Sequence, residues 1–167
     1  SGKSTILDII IGLFKAQKGK FKIDSKDLYK NNTDLAKWRN LISYVPQDIF
    51  LLDASIVDNI TFFEKKNDFD LGRFNKCIEI SQLKNYIDGL PDGQDTIVGE
   101  KGTKLSGGQK QRISIARSLY QGKKIIVFDE GTSALDERTE EKLLYALKED
   151  SQFREITLIM ISRRFLV

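Results

Sequence analysis

The alternation of apolar and polar positions divides the chain into short elements punctuated by glycine, proline and acidic residues. Residues 4–14 are apolar on nearly every side, which predicts a helix buried against a sheet rather than an amphipathic surface helix. Lys20 to Asp24 alternates Lys, Phe, Lys, Ile, Asp and reads as a half-buried strand; Leu41 to Val45 reads as another that stops at Pro46 and leaves Gln47 in the loop beyond. From Asp68 to about Tyr86, Leu71, Phe74 and Ile78 keep helical spacing ahead of a turn at Pro91, Asp92 and Gly93. Gly107 and Gly108 open a further helix that carries Ile113, Ala116 and Leu119 inward and ends near Gly122. Ile125 to Phe128 is an uninterrupted apolar run, as expected of a central parallel strand covered on both faces, with Asp129 and Glu130 at its carboxyl end. A helix over about Asp136 to Lys148 and a strand over Ile156 to Ile161 complete an alternation that implies an α/β fold around a parallel sheet.

Composition narrows the picture. A chain of 167 residues that is 40% hydrophobic supports one core, and residues 1–167 read as a single domain. Its 27 basic and 24 acidic residues nearly balance, without the clustered basic face of a nucleic-acid binder, so no nucleic-acid partner is expected. The sequence has no histidine, which removes imidazole-ligated zinc and Ser-His or Cys-His nucleophilic pairs. Cys77, among Phe74, Ile78 and Ile80, reads as a small buried hydrophobe in a reducing setting. The apolar stretch Ile6 to Phe14 is interrupted by Asp8 and Gly12 and falls short of the roughly 20 residues needed to cross a bilayer. Lys3 is followed by a hydroxyl pair rather than an apolar region, so no secretory leader is expected at this end.

Three stretches carry candidate chemistry. Ser1-Gly2-Lys3-Ser4-Thr5 matches the second half of the pattern G-x-x-x-x-G-K-[ST]. Backbone amides at a glycine turn and the positive end of the next helix would surround phosphate oxygens, Lys3 would reach the β- and γ-phosphates and the Ser4 hydroxyl would hold Mg²⁺. An ordinary serine-capped helix start is the alternative reading. Asp129 and Glu130 end a buried strand, where Asp129 can hold Mg²⁺ through water and Glu130 can polarise an attacking water as general base; two solvated acids at a strand end are the alternative. Ser106-Gly107-Gly108-Gln109, after Leu105 and before Lys110-Gln111-Arg112, places glycines at a second helix start and so offers a second phosphate site, as against a flexible glycine loop.

With these motifs in this order, essentially the whole chain resembles the ABC ATPase family. The resemblance implies a P-loop NTPase fold with an inserted helical subdomain over about 65–110 that carries the signature stretch. It also implies Mg-ATP held between the first site of one copy and the Ser106–Gln109 stretch of a second, head to tail. Val45-Pro46-Gln47 resembles the Q-loop, whose glutamine approaches Mg²⁺ and the attacking water, and Ser133-Ala134-Leu135-Asp136 resembles the D-loop. Thr96 to Gly102 and Asp48 to Asp53 look like exporter-type segments, which in such families touch the coupling helices of a transmembrane domain at the cytoplasmic face of the membrane. Asp8 to Leu13, Trp38-Arg39 and Phe50 to Ile60 look most like flippases for lipid-linked saccharides, with lipid and peptide exporters close behind.

The pattern departs from the family in places. The family's loop opens with a glycine several residues ahead of Ser1, after a strand and an adenine-stacking aromatic; the family's closing strands and helices lie beyond Val167. The sheet is therefore expected to lack strands at both ends, and poor folding of residues 1–167 alone is expected. Ile161-Ser162-Arg163-Arg164 places Arg163 where the family carries its switch histidine; arginine pairs with a γ-phosphate but accepts no proton. The leading reading is an ATPase that powers export or flipping through a transmembrane domain. Its rival is a nucleotide-binding domain impaired in hydrolysis. A chromosome-maintenance ATPase would need a coiled-coil insertion or zinc-binding cysteines between the two phosphate sites, and the sequence has neither.

Overall fold

A computed structural model describes residues 2–65 and 68–161. Helix α1 (Lys3–Ile10) begins at Gly2 and is closed by Ile11 and Gly12, the latter at φ +81°. The helix is thus shorter than the expected 4–14, and only one side of it is covered. Leu7 and Ile11 are buried, whereas Ile6, Leu13 and Phe14 are each 59% exposed, because the left-handed glycine turns the chain off the sheet before Leu13. The strand expected over Lys20–Asp24 contracts to β1 (Lys22–Ile23), which pairs antiparallel with β2 (Lys26–Asp27). Asp24 and Ser25 both take positive φ, the signature of a two-residue hairpin turn of the primed type, so Asp24 belongs to the turn.

Helix α2 (Asn32–Asn40), capped by Asn31, packs on the end of α1 through polar side chains. Trp38 Nε1 donates to the Ile10 carbonyl at 2.6 Å, Arg39 Nε donates to Gly12 at 3.1 Å and the Tyr29 hydroxyl donates to Ile9 at 2.9 Å. The bond to Ile10 satisfies a carbonyl at the end of the helix, and Arg39 places a cation at the negative end of the α1 dipole.

Strand β3 (Ile42–Val45) leads to α3 (Ile56–Thr61), α4 (Leu71–Ile80), α5 (Lys84–Asp88) and α6 (Gly107–Tyr120). The helix expected from Asp68 to about Tyr86 is two helices, since Gln82 at φ +59° breaks the run; of the three apolar positions at helical spacing, Phe74 and Ile78 are buried and Leu71 is exposed at the first turn of α4. Strand β4 (Ile125–Asp129), α7 (Glu137–Glu149) and β5 (Thr157–Ile161) follow.

The three longer strands form a parallel sheet in the order β3-β4-β5, with β4 central as its apolar run predicts. Alternation along β4 sends its side chains to two cores. Val127 meets Leu7 and Ile11 of α1 on one face, while Ile126 and Phe128 join Val45, Ile113, Ile115, Leu119 and Leu143 on the other. Helices α1 and α6 consequently lie on opposite faces of one sheet. Cys77 is fully buried in the larger core, and burial pushes its thiol up to about 12.

Candidate nucleotide site

The site is built at the carboxyl ends of β3 and β4, where parallel α/β sheets bind ligands. Leu7, one turn beyond Lys3, packs on Val127, two residues before Asp129, which brings the start of α1 to the end of the central strand. Gly2 occupies the N-cap at φ +90°, and an added Cβ there would meet nothing within 4 Å. No side chain caps α1 and its first turn holds no acid, so the reading as an ordinary serine-capped helix does not describe it. Lys3, Ser4 and Thr5 are exposed along this open start, whose amides and unopposed positive dipole fit a phosphate group. Ser1 and Arg163 lie outside the described residues.

Asp129 and Glu130 are each only 8% exposed, which sets aside the reading of two solvated acids. Asp129 Oδ2 accepts a hydrogen bond from the Tyr44 hydroxyl at 3.0 Å. Burial and then the bond to Asp129 hold that phenol well above its usual range, so Tyr44 remains a donor at neutral pH. Glu130 takes φ +51°, rare for a residue with a side chain, and its backbone is held on both sides. Its amide donates to Ile161 at 3.0 Å, and its carbonyl accepts from the Ser133 amide at 2.9 Å and from Gln111 Nε2 at 3.2 Å. Gln47 is exposed in the bend just past β3, whose Val45 pairs with Phe128 of β4.

Helix α6 begins quite differently. Ser106 Oγ accepts from the Gln109 amide at 3.3 Å, and Gln109 Oε1 accepts from the Ser106 amide at 2.7 Å, a closed capping box. The Gly-Gly stretch is therefore an ordered helix start and not a flexible loop. It rests against Ala134, in the loop that links Glu130 to α7, and α6 covers the sheet face opposite α1. Leu7–Val127 packing and the β3–β4 pairing set Gly2–Thr5, Gln47, Asp129 and Glu130 toward the carboxyl ends of the strands, while Ser106–Gln109 begins the helix on the other face, against the loop that follows Glu130.

Residues 1–133 match the profile of the family described as ABC transporter. The chain belongs to that family. It is 40% identical over 171 aligned residues to a mitochondrial iron-sulfur clusters transporter ATM1 of Kluyveromyces lactis, covering 98% of this chain and 22% of that protein. It is 35% identical to an ATP-dependent lipid A-core flippase of Ralstonia nicotianae, covering 98% of the chain and 27% of the flippase. Among solved structures, a bacterial Atm1-family ABC exporter with ATP bound aligns with a TM-score of 0.85 at 34% identity, covering 98% of this chain and 27% of that one. The chain therefore spans about a quarter of the length of these relatives. It is an ABC-type ATP-binding domain of exporter kind, with the parallel P-loop architecture that its motifs imply.

This ABC domain also joins its two exporter-type segments. Ile56 donates to Thr96 and Val98 to Ala54, which docks Thr96–Gly102 beside the end of Asp48–Asp53; Leu51 and Val98 are buried, and Phe50 and Ile97 are exposed. Arg117 of α6 secures this face from below. It donates to the carbonyls of Asn59 and Phe50 and to Asn59 Oδ1, and its guanidinium lies 4.7 Å from the centre of the Phe62 ring. Phe62 and Phe63 are exposed beside it. No helix among the described residues is long and apolar enough to cross a membrane.

Tyr44 and Arg117, which bond to Asp129 and to the Asn59 carbonyl, lie outside the motifs read in the sequence; Gln111 lies in the quoted stretch Lys110-Gln111-Arg112, but its bond to the Glu130 carbonyl is not assigned there. Each had a signal. Tyr44 sits one residue before Val45-Pro46-Gln47, Gln111 lies between Lys110 and Arg112, and Arg117 is a charged position among Ile113, Ile115, Ala116 and Leu119 of α6.

Proposed function

We propose that this domain binds Mg-ATP between two copies and hydrolyses it to drive export through a transmembrane domain. The observation that carries the reading is the placement of the two glycine-bearing helix starts on opposite faces of one sheet. In this reading a phosphate at Gly2–Thr5 meets Ser106, Gly107 and Gly108 of another molecule, and a head-to-tail pair supplies two such sites. Lys3 binds the β- and γ-phosphates, while Ser4, Gln47 and, through water, Asp129 would hold Mg²⁺. That ion supplies neutralisation of charge on the transferring phosphoryl group. Glu130 takes a proton from water aligned with the γ-phosphate, and Gln47 orients that water. Arg163, in the place of the family's switch histidine, pairs with the γ-phosphate through its planar fork. The helices between about 65 and 110 carry the signature stretch toward the partner copy.

The face formed by Phe50, Ile97, Phe62 and Phe63 meets the coupling helices of the transmembrane domain, which sets the domain at the cytoplasmic face of the membrane. Relatives named for iron–sulfur clusters and for lipid A-core match at nearly the same identity, which fits one motor serving different cargoes. A lipid, lipid-linked saccharide or peptide suits the exporter-type segments. The test is Mg-dependent ATP hydrolysis by the full-length gene product in lipid. Replacing the general base by Glu130→Gln is expected to lower kcat about a hundredfold or more with ATP still bound. Undiminished turnover in that variant would remove Glu130 from the chemistry.

A further inference from the structure

The loop after β4 carries Glu130, which the proposed reading assigns to this copy's ATP, and the start of α6 carries Ser106–Gly108, which it assigns to the partner's ATP. The Gln111 side chain spans the two. Gln111, one turn into α6 and only 1% exposed, donates from Nε2 to the Glu130 carbonyl at 3.2 Å and accepts from the Ala134 amide through Oε1 at 2.7 Å. Both ends of the amide are used, so its orientation is fixed. Close packing reinforces the link: a Cβ added at Gly108 would stand 3.2 Å from the Ala134 carbonyl oxygen, so the signature turn and the loop cannot move independently by much.

The Glu130 backbone lies in the left-handed region at φ +51°, a conformation that persists only where its surroundings hold it. Its amide is fixed to β5 and its carbonyl to Ser133 and Gln111. Of these partners, Gln111 alone belongs to the helix that begins with the signature turn. From this geometry we infer that Gln111 is a positioning residue that relays engagement of one copy's signature turn with the partner's ATP to the Glu130 of the first copy. The inference rests on the two-copy reading above. The relay acts through the Nε2 donor, because that is the atom bonded to Glu130; the Oε1 bond to Ala134 fixes the side chain so that the donor is presented.

The test uses the full-length gene product in lipid, with Gln111→Leu, which removes both bonds at similar volume, and Gln111→Glu, which keeps the acceptor and removes the donor. Both are expected to lower kcat about ten- to a hundredfold while KM for ATP changes less than about threefold, as for a displaced catalytic group. The Hill coefficient for ATP is expected to fall toward that of independent sites. A second readout needs no turnover: in a Glu130→Gln background, ATP retained after rapid gel filtration is expected to be the same with and without Gln111→Leu. Gln111→Glu turnover at the wild-type level would overturn the relay, as would loss of retained ATP in step with kcat, which marks a general structural role. Absence of wild-type turnover would instead overturn the ATPase reading. Normal wild-type turnover with an unaffected Gln111→Leu variant overturns the relay alone.

Discussion

Helices α1 and α6 both begin at glycine, yet their first turns are closed in different ways. In α1 the N-cap is Gly2, no side chain reaches the first amides and no acid stands in the first turn. In α6 the Ser106–Gln109 box satisfies amides within the chain before any ligand arrives. The difference suits different tasks. An open start leaves its donors for a multiply charged phosphate, whereas a capped start is already rigid and presents a preformed surface to a group held by something else.

The comparison can be broken most severely at Gly2. Gly2→Val puts a β-branched residue at φ +90°, where nothing obstructs the new side chain but the backbone itself is strained. ATP affinity is expected to drop more than about tenfold by calorimetry. An unchanged affinity would show that the α1 start does not need its left-handed cap. Tyr44→Phe removes the donor to Asp129 on the α1 side and is expected to raise the Mg²⁺ concentration needed for half-maximal nucleotide binding by about three- to tenfold, at unchanged melting temperature. Ser106→Ala opens the capped start: a loss of about 1 kcal/mol in stability by denaturant titration is expected, with ATP affinity of a single copy unaltered. A fall in single-copy affinity would place both starts on one ligand.

The smallest effect sharpens the contrast with a third start. Asp136 caps α7, and the hydrogen bonds from Thr139 hold its carboxyl below the ordinary range. Its folded pKa is depressed, so its stabilising contribution is present above the unfolded value and is lost as pH falls through the folded one. Asp136→Ala is expected to lower stability slightly near neutrality, by denaturant titration, with the difference from the unsubstituted chain fading as pH falls below about 4, so that the acid limb flattens.

Parts of this arrangement are legible in the sequence for a physical reason. Strand β4 announces itself because a strand covered on both faces must be apolar throughout, and α6 because its core stripe is long and begins at paired glycines. Helix α2 escapes such reading, since it docks through Trp38 and Arg39 onto carbonyls instead of through an apolar stripe. Helix α1 is over-read for the converse reason: apolarity is local, but Gly12 decides how much of it reaches the sheet. The motifs mark Asp129 and Glu130, yet the side chains that hold them come from afar in the chain, Tyr44 by 85 positions and Gln111 by 19. No local pattern states such pairings.

The pairing of β3 with β4 has a consequence for how the molecule assembles. Ile42–Val45 meets Ile125–Phe128 only after α3, α4, α5 and α6 have been looped out between them, whereas β4 and β5 are bridged by α7 alone. Closing the larger loop costs more chain entropy, so the β4-α7-β5 unit is expected to form first and β3 to join late, bringing Gln47 and Tyr44 with it. In a chain made from its amino end, residues 2–45 would then wait for a partner strand synthesised much later.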